Sequence, residues 1–133
     1  MLNFNAIYNE LMENLGEKKV SEFIDSGSVA CAVIAENEKI YYGKNYQAGC
    51  GLSQCSEKVA LSNCIMDNNT KIKYVLVVFK NGKILRPCGS CIELLAQMGK
   101  NNLETEIITS LNPLKTIKLK DVLTDWWGMY RYS

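Results

Sequence analysis

The sequence predicts an α/β sandwich, a sheet with helices on its faces. Three observations carry this reading. The chain opens on an apolar stripe of helical period. Two dense apolar runs, residues 29–35 and 74–79, are short enough to be buried strands. Helix-like and strand-like segments then follow one another in the order α-β-β-α-β-α-β-β, the pattern of one sheet covered by helices.

Phe4, Ile7, Tyr8, Leu11, Met12 and Leu15 recur at three- and four-residue spacing, which places them on one helix face. Gly16 interrupts the stripe, and Val20, Phe23 and Ile24 are expected to continue it. Val-Ala-Cys-Ala-Val-Ile-Ala at 29–35 is the first strand. Glu36-Asn37-Glu38 turns the chain into Lys39-Ile40-Tyr41-Tyr42, the second. Residues 43–52 hold three glycines and read as a loop. Ser53 is the expected N-cap of a second helix, with Cys55 in its first turn and Val59, Ala60, Cys64 and Ile65 towards the core. Tyr-Val-Leu-Val-Val-Phe at 74–79 is the strongest strand, and its unbroken apolar character suits a central position. Asn81-Gly82 is a turn signal. Pro87 leads into a third helix over 89–98, stopped by Gly99. Residues 104–109 and 116–119 are two further strands, split by Asn112-Pro113.

The 133 residues fit one domain, 1–133, large enough to bury a core without disulfides. Charge is nearly balanced, 15 basic against 14 acidic side chains for a net +1. A protein built to hold a polyanion carries a basic excess, so no nucleic-acid partner is expected. The first residues have neither the basic start nor the apolar run of a secretory signal. No stretch approaches the roughly 18 apolar residues of a membrane span. A cytoplasmic location is expected. There the six cysteines, at 31, 50, 55, 64, 88 and 91, would be thiols or metal ligands. There is no histidine. Ser-His and Cys-His schemes are therefore excluded, and a metal site must rely on thiolates and carboxylates.

Two clusters carry the chemistry: Cys55-Ser56-Glu57 and Pro87-Cys88-Gly89-Ser90-Cys91. Each falls at an expected helix start. Catalytic zinc takes three protein ligands and leaves a fourth position open. Cys88 and Cys91, three apart in a first helical turn, put both sulfurs on one side, and Cys55 supplies the third. Helix N-termini favour thiolates and offset their charge. Zinc makes water acidic enough to react near neutral pH. Glu57, two residues from Cys55, sits beside the metal without being forced to bind it, placed to carry protons. A ligand, one residue, a Glu, then Pro-Cys-x-x-Cys is the pattern of zinc deaminases.

At these residues the chain resembles the cytidine deaminase family, in its small, three-cysteine, usually tetrameric branch. The family's Cys-Ala-Glu reads Cys55-Ser56-Glu57, and its Pro-Cys-Gly-x-Cys reads Pro87 to Cys91. Val29-Ala30-Cys31-Ala32-Val33 resembles the family's first strand and Gly43-Lys44-Asn45 its Gly-x-Asn loop. The spacing within 29–45 and the lead-in Gly82-Lys83-Ile84-Leu85 look closer to blasticidin-S deaminase. The resemblance implies a three-layer sandwich, a five-stranded mixed sheet with helices on both faces. It implies a cytidine deaminase using one Zn2+ per chain and acting on a small nucleoside, with Glu57 as catalytic residue. Asn45 would contact the ribose, and backbone groups around Ser56 and Pro87 would read the base. The C-terminal Trp126, Trp127, Tyr130 and Tyr132 would meet neighbouring subunits of a homotetramer.

The chain also departs from the pattern. Gln47 stands where the family has a ribose-binding Glu, and Gly27 falls near its base-stacking Phe. Lys58 and Ile92-Glu93 replace its Arg and Arg-Gln. Other readings stay open on the residues alone. The three cysteines also suit a structural zinc site, in a non-catalytic or ligand-binding protein, with a fourth ligand from Cys31, Cys50, Cys64 or a carboxylate. Cys88 and Cys91 also have redox spacing. Blasticidin-S or another modified cytosine nucleoside is an alternative substrate to cytidine and deoxycytidine.

Overall fold

A computed structural model describes residues 2–132. The first helix, α1 (Phe4–Asn14), is capped by Asn3, whose Oδ1 accepts from the Ala6 N–H at 3.1 Å. Ile7 and Leu11 of its stripe are buried. The helix does not resume beyond Gly16, which takes φ 135. Val20 and Phe23, expected on the same stripe, are exposed, Phe23 at 82%. Residues Lys18–Lys19 form a short strand, β1, instead.

The strands β2 (Asp25–Ala35), β3 (Ile40–Gln47), β4 (Ile72–Phe79), β6 (Glu106–Leu111) and β7 (Leu114–Lys118) are those read from the sequence, with shifted ends. They lie in the order β3-β2-β4-β6-β7. Only β4 and β6 are parallel, so the sheet is mixed as expected. It has seven strands rather than five. The additions are β1, which pairs Ser26 and Asp25 of β2, and β5 (Ile84–Leu85), which pairs Val77 and Val78 of β4. Each is two residues long and extends an edge left open by longer neighbours, so neither carries a period to read.

The helices α2 (Ser56–Met66) and α3 (Gly89–Gln97) cover one face and α1 the other. In β2, Cys31, Val33 and Ala35 point to the α2/α3 side while Ala30, Ala32 and Ile34 point to α1. In β4, Val75 and Val77 divide from Leu76 and Val78 in the same way. Alternate residues of a strand face opposite ways, so two-sided cover is what makes these runs continuously apolar. A 3-10 turn (Lys100–Glu104) links α3 to β6. After β7 come α4 (Leu119–Val122) and a second 3-10 turn (Trp127–Tyr132). Trp126 packs into the α2/α3 core. Among the described residues no helix is long and apolar enough to cross a membrane.

Candidate metal centre and active site

The site begins with two helix N-termini and one close approach. β3 runs on to Gln47, so Gly43 and Asn45 lie in a strand rather than the expected loop. A Cβ on Gly43 would lie 2.3 Å from the Ser56 carbonyl oxygen and 2.7 Å from the Ala60 nitrogen. Only glycine lets α2 press this closely on β3. The lead-in to α2 is pinned as well. Tyr46 and Gln54 exchange two backbone hydrogen bonds, at 3.1 and 3.0 Å. Ser53, the expected cap, instead closes the loop on Ala48, accepting from its N–H at 3.0 Å. Cys55 is the actual N-cap, and α2 begins at Ser56. That shift turns Ser56, Glu57, Ala60, Leu61 and Cys64 inward and leaves Ile65 exposed.

Cys88 caps α3 in the same way, and Cys91 falls in its first turn. The pairing of Leu85 with Val77 fixes where this second approach starts. The result brings all three predicted ligands together. The Cys55 and Cys88 sulfurs are 3.7 Å apart, those of Cys88 and Cys91 3.3 Å, and all three lie within 4.8 Å of one another. Tetrahedral zinc with bonds of about 2.3 Å holds its sulfurs about 3.8 Å apart, so the donor set and its spacing fit one Zn2+ per chain. Among the described residues, neither Cys31, Cys50, Cys64 nor a carboxylate joins the cluster. A structural zinc would take a fourth protein ligand, and the described residues provide none.

Electrostatics favour a cation here. Burial pushes the Cys91 thiol up, and the nearby Glu57 charge and the other two sulfurs add to it. Burial also raises Cys55, with Cys88 next in effect. Cys88 is lowered: burial opposes this, but hydrogen bonding with the Cys91 side chain and backbone N–H prevails. Neighbouring negative charge opposes ionisation of Cys55 and Cys91, and a dication relieves that.

Glu57 is buried at 5% exposure and accepts a 2.6 Å hydrogen bond from the Ser56 hydroxyl. Together with Cys55 and Cys88 it lines a cleft of about 340 Å3. Asn45 and the exposed Gln47 line the same cleft. Pro87 does not, although its neighbours Arg86 and Cys88 do. Asn45 also has a second task. β2 bulges between Ser26 and Ala30, and Asn45 Oδ1 accepts from the freed Ser28 and Val29 N–H groups, each at 3.0 Å. Its Nδ2 donates to Ser28 Oγ at 2.8 Å, which leaves one N–H of the amide for a ligand. The sequence reading missed Arg86 and Gln54, both on the cleft wall. Each immediately precedes a metal-motif residue, and that adjacency was the available signal.

Of the C-terminal aromatics, Trp126 and Tyr132 pack against the core, while Trp127 and Tyr130 stay largely exposed. The Trp126 and Trp127 indoles both donate to Glu93 of α3, at 3.0 and 3.1 Å, and the Tyr132 hydroxyl donates to the Ala96 carbonyl at 2.5 Å. Glu93 thus has a structural role.

Comparison with known proteins follows the same lines. Residues 8–105 match the family model described as the cytidine and deoxycytidylate deaminase zinc-binding region. A cytidine deaminase of Mycoplasma genitalium is 27% identical over 97 residues, 71% of this chain and 74% of that protein. Among solved structures, the cytidine deaminase of Mycobacterium tuberculosis is similar with a TM-score of 0.74 at 21% identity, covering 96% of this chain and 99% of that one. The cytidine deaminase of Bacillus anthracis gives a TM-score of 0.71 at 17% identity, covering 97% and 89%. At those identities the structural likeness establishes the fold.

Proposed function

The chain belongs to the cytidine and deoxycytidylate deaminase zinc-binding family, and on that footing we propose that it is a zinc-dependent hydrolytic deaminase. It converts cytidine or deoxycytidine, with water, to uridine or deoxyuridine and ammonia. The observation that carries this is the buried Glu57 carboxylate, which shares the wall of one cleft with Cys55 and Cys88 of the three-sulfur cluster.

Cys55, Cys88 and Cys91 hold the metal, which when bound supplies Lewis acidity that makes water reactive at neutral pH. Glu57 takes one proton from the attacking water and delivers it to the ring nitrogen, then carries the second, from the hydroxyl left on the attacked carbon, to the amine that leaves as ammonia. Backbone groups at Ser56 and on either side of Pro87, at Arg86 and Cys88, orient the base. Asn45, through its spare N–H, and Gln47 face the sugar.

We read the enzyme as a single catalytic domain acting in the cytoplasm in pyrimidine salvage, and as a homo-oligomer, a tetramer by family resemblance. The near-neutral charge supports a small-molecule substrate over nucleic acid.

A second reading, a deaminase of blasticidin-S or another modified cytosine nucleoside, has one observation in its favour. A small annex of about 60 Å3 shares Asn45 and Gln47 with the cleft and is walled by Asp25 and Glu17. Carboxylates there suit a cationic substituent on the sugar side, although Glu17 already pairs with Lys80 at 2.5 Å. Ammonia release from cytidine and from blasticidin-S, measured side by side on zinc-loaded protein, decides between them. Release from neither rules out cytidine and blasticidin-S as its substrates.

A further inference from the structure

We propose that the Ser56 hydroxyl is a positioning group that holds one oxygen of Glu57, Oε1, and so reserves the other, Oε2, for proton transfer. This rests on the deaminase reading above and deepens it.

Ser56 is the first residue of α2 and is fully buried. Its backbone cannot drift, because its carbonyl is seated where a side chain on Gly43 would lie. From that fixed point its Oγ donates to Glu57 Oε1 at 2.6 Å. Consecutive residues within a helix do not face each other, so this bond depends on the geometry of the first turn. Behind the pair lies the fully buried Cys31 thiol, which interacts with both side chains and which burial, then the Glu57 charge, keeps protonated.

The two carboxylate oxygens are thereby unequal. Oε1 is held, while among the described residues no hydrogen bond reaches Oε2 on the side chain that lines the cleft. A carboxylate's terminal torsion is broad and two-fold, so an unheld Glu57 would scatter both oxygens over several orientations. One short bond, 2.6 Å from the Ser56 hydroxyl, removes that freedom. The family pattern has alanine at this position, so the bond is a feature of this chain rather than of the family.

A group that fixes the proton carrier acts on the transition state and not on ground-state binding. Ser56→Ala and Ser56→Thr, zinc-loaded and beside wild type, test this. Ser56→Ala should keep one zinc per chain, a cooperative fold at the assay temperature and nearly unchanged KM, while kcat falls about ten- to a hundred-fold. Affinity for a cytidine analogue that carries a hydroxyl on the attacked carbon should fall by the same factor, with uridine binding unaltered. Ser56→Thr keeps the hydroxyl and should restore most of kcat. Equal kcat in wild type and Ser56→Ala overturns the proposal. So does a loss of zinc or Tm that accounts for the fall, or a Ser56→Thr variant as slow as Ser56→Ala. Wild-type protein that releases no ammonia overturns the deaminase reading instead, and this inference with it.

Discussion

Gly43 of β3 and Ser56 of α2 touch backbone to backbone: a Cβ on residue 43 would lie 2.3 Å from the Ser56 carbonyl oxygen. The contact sets how deep the Cys55–Glu57 turn sits against the sheet. Gly43→Ala must push α2 outward. The expected cost is about 1–3 kcal/mol, typical of overpacking, with weaker zinc retention and lower turnover. Denaturant unfolding and metal content of the purified variant check this; a variant with wild-type stability would show that the helix yields freely.

Stripping zinc with a chelator should abolish turnover and lower Tm, and restoring zinc should recover both. Metal bound at a thousand times its Kd stabilises by about 4 kcal/mol. Zinc displaces thiol protons, and Cys55 and Cys91 hold theirs above the ordinary range, chiefly through burial. Zinc affinity should therefore fall as pH falls. Competition with a chromogenic chelator across pH reads this directly, and a flat profile would argue against thiolate ligation.

Asn102 is buried at 1% and joins three segments. Its Oδ1 accepts from Ile72 N–H at 2.9 Å, and its Nδ2 donates to the Thr70 and Leu95 carbonyls at 2.9 and 3.1 Å. Asn102→Ala leaves those backbone groups without partners. A loss of about 2–4 kcal/mol is expected by urea unfolding. A loss below about 1 kcal/mol would mean that other groups replace the amide.

Glu93 is held below the usual carboxylate range by the Gln97 amide first and by the Trp126 indole next. A depressed folded-state pKa contributes stability above the unfolded value, about 4.3, and loses it as pH falls through the folded value. Glu93→Gln should therefore be less stable than wild type near neutrality, and the gap should narrow in acid. Urea midpoints of both proteins between about pH 7 and pH 4 test this. A gap of constant size would remove the ionised Glu93 from the account.

Much of this was readable in advance, for identifiable reasons. Residues 29–35 and 74–79 announced central strands because both faces are covered, and α1 announced itself through one apolar stripe. The clustering of Cys55, Cys88 and Cys91, with Glu57 on the same cleft, was legible because the two motifs tie residue type and spacing together. β1 and β5 were not, since two-residue strands have no period. The cap at Cys55 rather than Ser53 was hidden as well, because Ser53 satisfies a loop and the Cys55 side chain makes no capping bond. Asn45's task at the bulge was equally hidden. Register shifts belong to strand pairing, which no local pattern encodes.

The most direct test is ammonia release from cytidine by zinc-loaded wild type and by Glu57→Ala, with zinc quantified in the same samples. The account predicts one ammonia per uridine from wild type. It predicts equal zinc in both proteins and a rate at least about a hundred-fold lower without Glu57. Equal rates from the two proteins, or wild-type protein that binds no zinc, would contradict it.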